Sequence, residues 1–320
     1  MPLAEKALIA RIRRHSAKGK GLLTGIGDDC AVLRIPPGHE ALITTDFSLE
    51  GIHFRREWHP AESVGHRCLT RGLSDIAAMG GQPVAAFLSL ALPRNLPQKW
   101  VDEFIRGLLA LARKFDVPLA GGDTAESPDG ILADIVVLGS VPKGKAVLRS
   151  GARPGDKIYV SGELGASAAT LGLLMDNPKR KLRTRDFPRQ FFPEPRLALS
   201  RVLREKGLAT AMIDLSDGLS TDLRHLCDES RVGAQVQAAA IPLAAIGRPP
   251  RKVDLSTALN GGEDYELLFT APPGKSIPAS IAGVPITCIG QITRGKKIVL
   301  QNTDRPPADL KPQGWQHFTR

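Results

Sequence analysis

No stretch of the 320-residue chain approaches the ~20 consecutive apolar residues that a membrane-spanning helix needs. The N-terminus interleaves Leu8 and Ile12 with Arg11, Arg13 and Arg14. That is the pattern of a short amphipathic helix, without the continuous apolar core of a secretory leader. A cytoplasmic protein is expected. Cysteine is scarce as well: Cys30, Cys68, Cys227 and Cys288 are the only four, and no two have CxxC spacing. A chain of this length has no need of disulfide staples, so the thiols are expected to be reduced and mostly buried. Aromatic residues make up 5% of the chain. None lies within the densest basic run, Lys179-Arg180-Lys181-Leu182-Arg183-Thr184-Arg185, and no nucleic-acid-binding motif surrounds it. A solvated loop is expected there. The familiar phosphate-binding signatures are missing too. There is no GxxxxGK[ST], no GxGxxG after a strand, and no HRD with DFG. Acidic residues are outnumbered 43 to 33 by Lys and Arg, for a net charge of +10. Such a balance suits nucleic acid, a membrane surface or anionic small molecules.

What is present is a globular composition, 42% hydrophobic and 24% charged. At ~150 residues per domain the length allows two domains. Residues 31–35 and 41–45 read as two strands joined by the turn at Pro36-Pro37-Gly38. Helical spacing covers 61–79, with Val64, Cys68, Leu69, Leu73 and Ile76 along one side, and again 98–115. Residues 84–92 and 131–141 read as strands, and 117–120 as a short strand running into the turn Gly121-Gly122-Asp123-Thr124. Between Pro142 and Pro154 the composition shifts to Lys, Arg, Gly and Pro. This predicts a boundary between domains 1–142 and 143–320. Beyond it, strands are expected at 157–161, 210–213, 265–270 and 285–292. Helices are expected at 165–175, 196–206, 217–231 (with Ser216 as N-cap) and 255–260. Strands and helices alternate unevenly and hairpins intrude. That predicts a mixed α/β (α+β) architecture rather than a regular doubly wound sheet.

The acids fall in a pattern. Asp28 and Asp29 follow Gly25-Ile26-Gly27. Asp46 closes a strand after Thr44 and Thr45, and Asp75 sits on a helix among small residues. Asp123 follows Gly121-Gly122, Asp214 and Asp217 bracket Leu215-Ser216, and Glu263-Asp264 follow Gly261-Gly262. Taken singly, each is an ordinary turn or cap residue. Together they recur at strand ends and glycine turns, where loops carry function. Carboxylates gathered in one cleft would repel unless cations neutralised them. Hard divalent ions such as Mg²⁺ take such oxygens together with substrate phosphates, and phosphoryl transfer from a nucleotide needs that arrangement.

Six blocks carry a specific resemblance. They are Gly25-Ile26-Gly27-Asp28-Asp29, Thr44-Thr45-Asp46 with Glu50-Gly51-Ile52-His53-Phe54, Leu73-Ser74-Asp75-Ile76-Ala77-Ala78-Met79-Gly80, Gly121-Gly122-Asp123-Thr124, Asp214-Leu215-Ser216-Asp217-Gly218-Leu219 and Gly261-Gly262-Glu263-Asp264-Tyr265-Glu266-Leu267. In order and approximate spacing, from about residue 20 to Trp315, the chain resembles the thiamine-monophosphate kinases, within the aminoimidazole ribonucleotide synthetase-like ATP-binding superfamily. The resemblance implies a two-domain α/β fold. Residues 1–142 would form an ATP- and Mg²⁺-binding dimerisation domain, and 143–320 a domain completing the nucleotide and substrate site. It implies a homodimer that transfers the γ-phosphate of ATP directly to thiamine monophosphate. It also implies roles. Asp29, Thr44, Thr45, Asp46, Asp75, Asp123, Asp214 and Asp217 match metal positions. Gly122, Asp123, Arg149 and Ser216 match nucleotide positions, and His53, Glu263 and Trp315 match positions holding the thiamine phosphate. Asp29 is expected to be the ligand of its pair, with Asp28 supporting the turn. No residue stands out as a general base. A terminal phosphate is already a nucleophile, so positioning and charge neutralisation suffice. The chain departs from the family at Arg71-Gly72, where a more apolar run ending in Asn is usual. Two other readings compete: a superfamily enzyme with a different acceptor, and a basic nucleic-acid-binding protein, which leaves the acids unexplained.

Overall fold

The structure, a computed structural model, describes residues 1–16, 19, 21–27, 29–302 and 306–318. Asp28, expected to support the glycine turn, lies outside them. Two compact units form. The N-terminal unit comprises Met1–Ile76, Gly81–Gly144 and Phe191–Pro193, and the C-terminal unit comprises Ala77–Gly80, Lys145–Gln190 and Glu194–Arg320. No helix among the described residues is long and apolar enough to cross a membrane.

The N-terminal unit opens with α1 (Glu5–His15), β1 (Leu22–Thr24) and β2 (Val32–Leu33). There follow β3 (His39–Leu49), α2 (Ala61–Ala78, whose last two residues belong to the C-terminal unit), β4 (Gln82–Pro93), α3 (Gln98–Lys114), β5 (Leu119–Ser127) and β6 (Leu132–Pro142). Its sheet runs β3-β6-β4-β5. Only β4 and β5 are parallel. Helix α2 carries the apolar stripe that its spacing predicts, and Val64, Cys68, Leu69, Leu73 and Ile76 are all buried. It lies so close to β6 that a Cβ on Gly72 would stand 2.5 Å from Val137 Cγ2. The glycine at the family departure therefore lets the helix seat on the sheet. Two expectations fail here. β2 and β3 do not form a hairpin: β2 pairs with β1, and β3 pairs along its whole length with β6. Gly121–Thr124 is not a turn but the middle of β5. There the ladder to β4 overrides the local turn preference of glycine.

The C-terminal unit contains β7 (Lys157–Ser161), α4 (Ala166–Asp176), α5 (Pro188–Phe191, whose last residue belongs to the N-terminal unit), α6 (Leu197–Glu205), β8 (Ala211–Asp214), α7 (Leu219–Ser230) and β9 (Gly233–Gln237). It continues through β10 (Ala245–Ile246), β11 (Arg251–Lys252), α8 (Leu255–Asn260), β12 (Leu267–Ala271), β13 (Ser280–Ile281), β14 (Val284–Thr293), β15 (Ile298–Gln301) and β16 (Ala308–Asp309). The main sheet runs β16-β15-β9-β14-β7-β12-β8. Ile158, Val160, Ile213, Leu268 and Ile289 supply its core, packed against Leu219, Leu223 and Leu226 of α7. Ser216 is not the N-cap of α7; Gly218 is. Strands β9 and β15 pair in parallel although sequence periodicity did not mark them.

Cys68 and Cys227 are buried, whereas Cys30 and Cys288 are exposed, so half of the thiols depart from the buried state expected. Burial pushes both buried thiols up to about 12. Since the thiolate is the reactive form, a disulfide reagent at pH 8 should titrate two thiols per native chain and four after denaturation. A native count of four would contradict the packing around α2 and α7.

Candidate functional site

In the N-terminal unit the glycine turn and β5 enclose a cavity of about 580 Å³. Gly25, Ile26, Gly27, Asp29 and Cys30 form one wall, and Gly121 to Thr124 another. Ile9, Ile12, Phe87, Leu88, Leu90 and Leu119 supply an apolar surface. Asp29, Gly122 and Asp123, far apart in sequence, thus share one cavity of the size that takes a small organic ligand. Gly122 is required by packing: it has φ +146°, and a Cβ there would lie 1.8 Å from Leu88 O. Asp123 is exposed, and its Oδ1 accepts from Thr124 N at 2.8 Å.

A second group lies where α2 crosses β3. Alternation along β3 puts Thr44 and Asp46 on one face and Thr45 on the other. Arg71 and Asp75, one helical turn apart, meet that first pair. Thr44 Oγ1 donates to Asp75 Oδ2, and Arg71 Nη1 stands 3.8 Å from Asp46 Oδ1. The Arg71 departure is therefore a buried cation set beside a carboxylate. Thr45 Oγ1 instead donates to Asp134 Oδ1 at 2.7 Å. Nearby, His53 Nδ1 accepts from Leu49 N at 2.9 Å. In the neutral ring this leaves the proton on Nε2, where it is a donor.

In the C-terminal unit three distant segments are bound together by backbone. Glu263 N donates to Ser216 O at 2.8 Å, Tyr265 N to Leu215 O at 2.9 Å, and Trp315 N to Asp217 O at 3.0 Å. Ser216, Asp217, Glu263 and Trp315 are thus gathered at the C-terminal end of β8, which Asp214 closes. The turn carrying Glu263 is strained, with φ +66° at Glu263 and +50° at Tyr265. Its exit is fixed by Glu266, a buried carboxylate that accepts from both Arg196 Nε and Nη2 and from Ser161 Oγ. Asp264 Oδ2 accepts from Gly165 N at 2.7 Å, and burial pushes its carboxyl up to about 7.

Sequence reasoning overlooked Asp222. Buried in the first turn of α7, it accepts from Asp217 N and Gly218 N, each at 3.1 Å. Burial, then the charges of Asp214 and Asp217, raise its carboxyl well above the usual range. An acid early in a helix was the available signal, but its inward aim is a tertiary fact. Other predicted residues are not brought together. Asp46 and Gly122 lie in one row across the sheet, through Ile135 and Leu88, but on opposite edge strands. Three strand spacings put them about 14 Å apart. Arg149 sits at the far end of α7, where its carbonyl accepts from Ser230 Oγ, about 18 Å of helix from Asp217. Among the described residues no three His, Cys, Asp or Glu side chains form a ready-made chelating group. The predicted donors are nonetheless all oxygens, of the kind a hard divalent ion takes when most of its shell is water and phosphate. Within the basic run at 179–185, Arg183 pairs with Asp186 at 3.0 Å, and Arg248, from outside the run, pairs with the same carboxylate at 3.0 Å.

Residues 27–141 match the AIR synthase related protein N-terminal domain, and residues 153–301 the AIR synthase related protein C-terminal domain. The chain is an AIR synthase related protein. It is 39% identical to the thiamine-monophosphate kinase of Escherichia coli (strain K12), with 99% of each chain covered. It superposes on the crystal structure of thiamine-monophosphate kinase from Stenotrophomonas maltophilia K279a with a TM-score of 0.81 at 36% identity, over 94% of this chain and 98% of that one. AaThiL, solved complexed with AMPPCP and TMP, gives a TM-score of 0.76 at 31% identity with 99% of both chains covered. Within that broader group the chain belongs to the thiamine-monophosphate kinase family.

Proposed function

We propose that this protein transfers the γ-phosphate of ATP to thiamine monophosphate, giving thiamine diphosphate and ADP. The observation that carries the reading is the gathering of Ser216, Asp217, Glu263 and Trp315 at one strand end by backbone bonds from three distant segments. Those are residues that the family pattern assigns to nucleotide, metal and substrate. The cavity holding Asp29, Gly122 and Asp123 supports a nucleotide site in the N-terminal unit, its apolar side suited to a base and its carboxylate side to metal-bound phosphates.

In this reading a terminal phosphate oxygen of thiamine monophosphate attacks the γ-phosphorus. The bond from that phosphorus to the β,γ-bridging oxygen breaks, and ADP leaves. No side chain need take a proton. Asp29, Asp46, Asp75 and Asp123, with Thr44 and Thr45, would hold Mg²⁺ in the N-terminal unit, and Asp214 and Asp217 would do so in the C-terminal unit; the ion would supply neutralisation of phosphate charge. Gly122 and Asp123 in the N-terminal unit and Ser216 in the C-terminal unit are assigned to the nucleotide; Arg149, although at the far end of α7, is the position to which the family pattern gives a charge-assisted bond to phosphate. His53 Nε2–H donates to the substrate phosphate. Glu263 accepts from the aminopyrimidine, and Trp315 stacks on the flat cation.

The working form is a homodimer. Ile43, 73% exposed, and Phe47, 52% exposed, lie on the β3 face away from α2 beside half-buried Val136 and Leu138. An apolar patch on a sheet face suits a second copy. The site of action is the cytoplasm, where ATP is present and thiols stay reduced. Incubation with ATP, Mg²⁺ and thiamine monophosphate should yield thiamine diphosphate and ADP in equal amounts. Folded protein that gives neither would overturn the reading.

A further inference from the structure

Trp315 is held at its backbone but not, by those bonds, at its ring. Gln313 N donates to Ser220 Oγ at 3.2 Å, Gly314 N to Thr221 Oγ1 at 3.0 Å, and Trp315 N to Asp217 O at 3.0 Å. These contacts fix where the Cα lies. They leave χ1 and χ2, which aim the indole, to be set by something else. A side-chain contact addresses them: Trp315 Nε1–H donates to His317 Nε2 at 3.3 Å. The two rings stand at 90° with centroids 5.5 Å apart. The contact uses the indole edge, and Trp315 stays 50% exposed. A tryptophan held by its edge keeps a face for stacking, the geometry in which a ring attracts a flat cation.

We infer that His317 is a positioning residue for the substrate: it accepts the indole N–H and so presents the face of Trp315 to the thiamine heterocycle. The inference rests on the assignment of Trp315 to substrate stacking. The accepting nitrogen must be unprotonated, so the neutral ring carries its proton on Nδ1. A mere packing role for the imidazole would need only its shape. The positioning role needs its acceptor.

Four variants separate these roles: Trp315→Ala, His317→Ala, His317→Phe and His317→Gln. KM for thiamine monophosphate, KM for ATP and kcat are measured for each. Quenching of tryptophan fluorescence by thiamine monophosphate alone is recorded as well. Loss of the acceptor in His317→Ala and His317→Phe should raise KM for thiamine monophosphate about fivefold, the weight of one ordinary hydrogen bond. KM for ATP should not move, and quenching should weaken. His317→Gln, which keeps a carbonyl acceptor, should return toward wild type. His317→Phe behaving as wild type, or both KM values rising together in His317→Ala, overturns the inference. The Trp315→Ala result separates the two layers. If it raises KM for thiamine monophosphate, the stacking assignment stands and the His317 variants decide alone. If it does not, the stacking assignment and the inference fall together.

Discussion

Asp46→Asn should lower phosphoryl transfer on the order of 100-fold or more, the weight of one preorganised electrostatic contact to a transferring group. Asp46 shares a β3 face with Thr44, opposite Arg71 and Asp75 of α2. Asparagine keeps the shape and one oxygen but loses the charge that a divalent ion needs. The substitution also strips Arg71 of a partner 3.8 Å away. Arg71 is only 8% exposed, and weakening the compensation of a buried charge is destabilising. The cost should stay below the ~3–5 kcal/mol of a fully buried pair, because the Asp46 side chain is 33% exposed. The stability loss must therefore be separated from the catalytic one. Asp46→Asn/Arg71→Met removes both charges and should recover the melting temperature without recovering turnover. If Asp46→Asn keeps more than half of wild-type kcat at an unchanged Mg²⁺ requirement, the metal assignment is wrong.

Glu266→Gln should produce a large stability loss in the C-terminal unit. Glu266 is 1% exposed and accepts from Arg196 Nε at 2.7 Å and from Ser161 Oγ at 2.5 Å, with a second bond from Arg196 Nη2. Ser161 Oγ in turn accepts from Leu267 N at 2.9 Å. The network ties β7, the start of α6 and the start of β12, and it anchors the strained turn that carries Glu263. A neutral amide removes the main counter-charge of Arg196, whose side chain is 19% exposed and also feels Glu194, so the cost should lie toward the lower end of about 3–5 kcal/mol. For a unit of this size that is roughly 10 °C in Tm. Arg196→Met/Glu266→Met should cost less than either single change, since apolar groups of similar volume need no partner. A Tm for Glu266→Gln within 2 °C of wild type would show the pair to be dispensable.

Much of the fold was legible because its signals are local. The apolar stripe of α2 and the strand 157–161 follow from periodicity and chain breakers. The helix 255–260 is also capped locally, by Asp254 accepting from Thr257 N. Where signals were short or balanced, the local reading failed. Gly121–Thr124 looks like a turn on its own, yet it is drawn straight by β4. Ser216 looks like a cap, yet its carbonyl receives Glu263 N, and Gly218 takes the cap. Pro36-Pro37-Gly38 looks like a hairpin turn, yet its flanking strands find partners elsewhere.

The candidate site divides in the same way. The sequence by itself determined the inventory: oxygen donors at strand ends and glycine turns, in an order that marks the family, with no P-loop signature. It could do so because residue type and spacing along the chain are what chemistry and family resemblance both use. Only the tertiary structure decided which of these residues meet. It set Asp29 and Asp123 on the lining of one cavity, Thr44 against Asp75, and Glu263 and Trp315 against the Ser216-Asp217 loop. It held Asp46 and Gly122 on opposite edges of one sheet and left Arg149 at the far end of α7. It also turned Asp222 inward and faced Arg71 toward Asp46. Those outcomes depend on strand order, register and helix seating. Non-local hydrogen bonds and burial set them, and a linear sequence does not display either.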